Sequence, residues 1–129
     1  MSIEIKSHGV GIRILQTDKK EIAVIQIDGK LTHKDYQVLI PVIERCIEAA
    51  ADRKLDVLLD MRAFGGWTWE AALDDVRLGM KVRNAFEKMA VVGDRKWEAL
   101  FTKMIAHLNR GEVRFFTDYD EALGWIAGI

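Results

Sequence analysis

The carboxylates Asp60 and Asp94, with Arg95 beside the second, are the residues best suited by type and position to acid–base chemistry. Asp60 closes the apolar run Leu55-Asp-Val-Leu-Leu-Asp60, and α/β proteins often place working carboxylates at such strand ends. General acid–base catalysis needs two groups within hydrogen-bond reach of one substrate atom, and convergence of Asp60, Asp94 and Arg95 at one end of a sheet would supply them. Asp60 could equally fix the Arg62 loop by hydrogen bonds. Nucleophiles are scarce. Cys46 is the single cysteine, flanked at helical spacing by Ile43 and Ile47, which makes it a buried helical thiol rather than a reactive one. Ser2 and Ser7 lack a Gly-x-Ser-x-Gly setting. His8, His33 and His107 show no metal-ligand spacing, so neither a metal nor a cofactor is expected. Val92-Gly93-Asp94-Arg95-Lys96 sets a glycine turn and two cations at a helix start that could hold an anion. Asp94 as the helix cap would already occupy the free amides there. The turn Phe64-Gly65-Gly66-Trp67 has no following lysine to make a phosphate cradle.

These residues are positioned by alternating strands and helices. Ile12 to Leu15 alternates as a short strand, Asp18 to Lys20 is a polar turn, and Ile22 to Ile27 is β-branched enough for a central strand closed by Asp28-Gly29. Thr32 and Asp35 have capping-box spacing, and Tyr36, Leu39, Ile40, Ile43 and Ile47 follow at helical intervals. Pro41 inside that pattern predicts a kink or a shifted start. Leu55 to Asp60, Lys88 to Val92 and Val113 to Phe116 are further strands. Asp94 caps a helix carrying Trp97, Leu100, Phe101, Met104 and Leu108. Thr117 and Asp120 repeat the capping-box spacing before a final helix with Ala122, Leu123 and Ile126. This alternation predicts an α/β single domain over residues 1–129, with a mixed, mostly parallel sheet of about five strands and about four helices.

The helix expected from Trp69 to Phe86 carries more apolar surface than one sheet contact needs. At about 100° per residue, Trp69, Leu73, Val76 and Met80 share one face, while Leu78, Val82 and Phe86 form a second. A helix lying on one sheet needs a single stripe, so the second calls for a neighbouring helix, another subunit, an apolar ligand or a lipid surface. Just before it stand Phe64, Trp67 and Trp69 around Gly65 and Gly66. Tryptophan suits sites with one apolar and one wet end, and the glycines offer a hinge on which the helix would move as a lid. The alternative is that the aromatics plug the edge of the core and the glycines make a turn. If neither ligand nor lipid covers the second stripe, a symmetric homodimer would.

The 129-residue chain has 19 Lys and Arg against 20 Asp and Glu, a formal net charge of −1 that argues against a nucleic-acid partner. Half of its residues are apolar and 30% are charged, which rules out intrinsic disorder. No apolar run is long enough to span a bilayer, and the N-terminus lacks the pattern of a signal peptide. The expected location is cytoplasmic, with any membrane contact peripheral at the inner face.

Four stretches resemble the SpoIIAA-like family of the STAS superfamily: Gly29-Lys-Leu-Thr-His-Lys-Asp-Tyr36, Leu55 to Asp60 with Phe64 and Trp67, Met89 to Trp97, and Arg114-Phe-Phe with Glu121-Ala-Leu-Gly-Trp125. The resemblance runs from about Gly11 to the end. It implies a regulatory or interaction module without enzyme activity. Some such domains act as anti-anti-sigma factors, switched by phosphorylation of a serine at the start of the helix after the third strand. The corresponding region here, Phe64 to Glu70, has no Asp-Ser pair, and its one hydroxyl is Thr68. The branch is also similar to the lipid-binding domain of CRAL-TRIO proteins, which implies an apolar ligand or a lipid surface.

Overall fold

The computed structural model describes residues 2–7, 10–16, 21–50, 55–67, 86–93 and 112–128. They form β1 (Ser2–Ser7), β2 (Val10–Gln16), β3 (Glu21–Leu31), α1 (His33–Ala50), β4 (Leu55–Trp67), β5 (Phe86–Val92), β6 (Glu112–Phe116) and α2 (Tyr119–Ala127). The six strands make one mixed sheet whose spatial order follows the chain. β1, β2 and β3 pair antiparallel, whereas β3, β4, β5 and β6 pair in parallel. The strand beyond the expected five is β1. The helices expected at 69–86 and after Asp94 fall outside the described residues, except that Phe86 opens β5 opposite Leu55.

Strand periodicity sorts the core into two layers, because successive side chains point to opposite faces. Ala23, Ile25 and Ile27 of β3 join Val57 and Met61 of β4 and Met89 and Val91 of β5 beneath α1, which contributes Tyr36, Leu39 and Ile43. Ile22 and Val24 join Leu58, Ala90 and Val92 on the opposite face, where α2 contributes Ala122 and Ile126. Trp125 of α2 packs tilted on Phe116 with ring centroids 5.6 Å apart. Arg114 and Lys88 lie 5.3 and 5.2 Å from its indole centroid, so cation–π contacts hold the helix over the end of the sheet.

Helix starts follow local hydrogen-bond chemistry. Thr32 Oγ1 accepts from the Asp35 amide at 3.3 Å, and Asp35 Oδ2 accepts from the Thr32 amide at 2.9 Å, the reciprocal capping box its spacing predicts. α1 then runs through Pro41 to Ala50 without a shifted start. At α2 the cap lies one residue beyond the predicted Thr117: Asp118 is extended, and its Oδ1 accepts from the Glu121 amide at 3.0 Å.

Cys46 packs partly buried against the α1 layer. Burial, with the Glu21 carboxylate second, pushes its thiol above the ordinary value. The thiolate is the disfavoured form in the folded chain, so folding stability should fall as pH rises past the unfolded thiol's value of about 8.5 and be untouched below it. A thiol-specific disulfide reagent at neutral pH should label the native protein more slowly than the urea-unfolded chain. Equal rates in both states would contradict a buried thiol.

Candidate functional site

The β3–β4 pair outruns its neighbours. β2 pairs with β3 only as far as Ile27, and β5 pairs with β4 only as far as Asp60. β3 and β4 stay paired from Asp28 opposite Ala63 to Leu31 opposite Trp67. Among the described residues no other strand joins this projecting end. Phe64, Gly65, Gly66 and Trp67 therefore belong to a hydrogen-bonded strand rather than to a loop, which corrects the predicted strand end at Asp60 and the predicted free hinge at Gly65 and Gly66. β3 likewise continues through Asp28 and Gly29 instead of ending there.

Two register shifts shape the projection. Gln26 to Asp28 of β3 spans Asp60 to Ala63 of β4, and Gly29 to Lys30 spans Phe64 to Gly66, so β4 carries an extra residue each time. Glycine serves the second shift for a steric reason. A Cβ on Gly65 would stand 3.0 Å from the carbonyl carbon of Gly29, itself held at a φ of +71°.

The first shift is held by Asp60. Its Oδ1 accepts from the Arg62 amide at 3.2 Å and from Arg62 Nε at 2.9 Å, while Oδ2 accepts from Nη2 at 2.8 Å. The same device recurs at the β4–β5 shift, where Asp56 opposes an extra residue and its Oδ1 accepts from the Lys88 amide at 3.2 Å. Both buried aspartates satisfy backbone donors where the ladder changes step. The bidentate bond to Asp60 raises the Arg62 pKa further above its already high value.

A cavity of about 360 Å³ opens on the α2 face, bordered among the described residues by Gly11, Arg13, Val24, Gln26, Asp60, Arg62 and Tyr119 along with Ile12. The register explains its floor: Gly11 pairs with Gln26, and Gln26 with Asp60, in one row across β2, β3 and β4. Tyr119, the first residue of α2, is gripped from two sides. Arg13 Nη2 donates to its hydroxyl at 3.2 Å, and the Arg62 guanidinium lies 5.0 Å from its ring centroid.

Of the residues predicted for ligand or membrane contact, Phe64 and Trp67 lie on the projecting part of β4. Phe86 is the first residue of β5, opposite Leu55 of β4, so its backbone does not continue a helix from Leu78 and Val82. Trp69, Leu73, Val76, Leu78, Met80 and Val82 lie outside the described residues, as do Thr68, Asp94 and Arg95. Sequence reasoning missed the cavity residues Gly11, Arg13, Gln26 and Tyr119; strand register brings the first three together, and the docking of α2 adds Tyr119. Among the described residues no three metal-ligating side chains gather, and no helix is long and apolar enough to cross a membrane.

The parallel core, the antiparallel edge and the C-terminal helix of this chain together make a SpoIIAA-like fold. The SpoIIAA-like family model matches residues 22–127, and this chain belongs to that family, within the STAS superfamily. The crystal structure of an uncharacterised DUF3478-family protein from Shewanella loihica PV-4 is similar at 28% identity, with 96% of this chain and 98% of that one covered and a TM-score of 0.81. The unphosphorylated anti-sigma factor antagonist SpoIIAA shares the fold at 13% identity and a TM-score of 0.59, over 92% of this chain and 99% of that one. A comparison with curated proteins finds no match.

Proposed function

We propose that this chain is a non-catalytic interaction module that engages a protein partner at the projecting end of β3 and β4. The observation that carries this reading is the paired strand end running past both neighbouring strands, with exposed Asp28, Lys30 and Ala63 on it. Strand ends of this kind offer backbone donors and acceptors for a partner segment. The shared fold with an anti-sigma factor antagonist, a protein that acts on another protein, supports it. Asp60 is engaged through both oxygens by Arg62, which argues for a structural role at that one position. Thr68 follows β4 in sequence, and its phosphorylation would be the regulatory version of this reading.

A photo-crosslinker at Ala63 should give a discrete protein adduct in cells that Lys30→Glu weakens several-fold, whereas one at exposed Val38 on α1 should not. Equal adducts from both positions would sink the reading.

The second reading is an apolar small molecule or a membrane surface held by Phe64, Trp67, Trp69 and the apolar positions that follow them. The aromatic composition of that segment favours it. Vesicle flotation and native mass spectrometry of protein purified from cells separate the two readings, since co-floating protein or a retained apolar mass belongs only to the second.

A further inference from the structure

We propose that the cavity on the α2 face is a binding site for a small organic oxyanion, a molecule carrying a carboxylate or phosphate group. The argument rests on which hydrogen-bonding capacity is left over. The carboxylate of Asp60 is taken up by Arg62, which uses Nε and Nη2 on it and keeps Nη1 and a side chain 52% exposed. Arg13 spends one Nη2 contact on Tyr119 and is exposed. Gln26 makes a single long contact from Nε2 to Asp28 at 3.4 Å. The free polar capacity at the cavity is therefore dominated by donors, and two of its sources are guanidinium groups, whose planar forks match carboxylate and phosphate oxygens. Among the described residues that border the cavity, two arginines stand against the single carboxylate of Asp60. Asp118 also acts on Arg62 from the start of α2 and keeps its charge while its Oδ1 accepts from the Glu121 amide, so Arg13 is the cation at the cavity that no carboxylate bonds among the described residues.

Size and floor point beyond an inorganic ion. A volume of about 360 Å³ is that of a small-molecule site. Gly11 contributes no side chain to the floor, and a Cβ built there meets nothing within 4 Å. That leaves an opening over the backbone beside Val24, where the apolar body of a ligand fits while its anionic head meets Arg13 and Arg62. The Tyr119 ring is fixed between the two arginines and forms the wall between sheet and helix.

The test is a titration followed by amide NMR shifts, with phenyl phosphate, benzoate, inorganic phosphate and neutral benzyl alcohol as probes. Phenyl phosphate or benzoate should give saturable shifts at Gly11, Arg13, Gln26 and Arg62, and the tighter of the two identifies the head group. Benzyl alcohol should give none. Arg13→Gln should weaken binding at least about tenfold, the scale of one charge-assisted hydrogen bond. Gly11→Leu should weaken it similarly by filling the floor without touching any charge, and Gly11→Ala serves in its place if the larger side chain unsettles the strand. Three results would overturn the proposal: no saturable shift with either organic anion, inorganic phosphate binding as tightly as phenyl phosphate, or unchanged affinity in both folded variants.

Discussion

Leu58→Ala should cost this protein about 2–5 kcal/mol of folding stability, the range for emptying a fully buried leucine site. Leu58 is 0% exposed and sits mid-strand in β4, with Val24 of β3 on one side and Ala90 of β5 on the other. Its side chain belongs to the layer that Ala122 and Ile126 of α2 close from above. The neighbours cannot collapse into the gap. Val24 and Ala90 are fixed by the ladder, and α2 is tied down by its Asp118 cap and by Trp125 stacked on Phe116. The effect should appear as a lower denaturation midpoint with an unchanged denaturant slope, and as a melting temperature down by roughly 4 °C for each kcal/mol lost. Val38→Ala, at a site 46% exposed on α1, should stay within about 0.5 kcal/mol. Equal losses at the two positions would mean that the α2 face of the sheet is not a packed layer.

The extent to which residue patterns disclosed this structure follows from how local each feature is. Ile22 to Ile27 reads as a central strand because β-branched residues crowd a short run, and β3 is central, with both its faces buried. Thr32 and Asp35 read as a helix start because a capping box needs only residues three apart. Features that depend on pairing are not legible in this way. Gly65-Gly66 looks like a loop, since glycine is disfavoured in strands, yet a bulge against Gly29 needs a residue without Cβ. Ser2–Ser7 alternates only through Ile3 and Ile5, too few apolar positions to be read as a strand without the ladder that β2 supplies. Phe86 fits a helical stripe by spacing, but the parallel register with Leu55 claims it for β5. The cavity is the extreme case. Gly11, Gln26, Asp60 and Tyr119 come from four elements, and no sequence spacing relates them.

Asp60→Ala should destabilise the fold by about 1–3 kcal/mol, the cost of leaving hydrogen-bonding groups unpaired, rather than abolish an activity. Asp60 is 5% exposed and accepts three bonds from Arg62: one from the amide and two from the guanidinium. The guanidinium is exposed enough to find water when the carboxylate goes, so its share of the loss is small. The amide is the costly partner. It lies in the stretch where β4 carries an extra residue against β3, and the carboxylate is what bonds it there. Asp60→Asn keeps an acceptor for that amide and gives up the charge, so it should recover about half of the lost stability or more. Hydrogen exchange reads the mechanism directly. The Arg62 and Ala63 amides should exchange faster in the alanine variant than in the asparagine variant, while amides of β5 and β6 change only by the global loss. Were the two variants equally destabilised, the charge pair rather than the bulge amide would be what Asp60 contributes. Were neither destabilised, its buried position inside β4, at the first register shift, would have to be explained by chemistry after all.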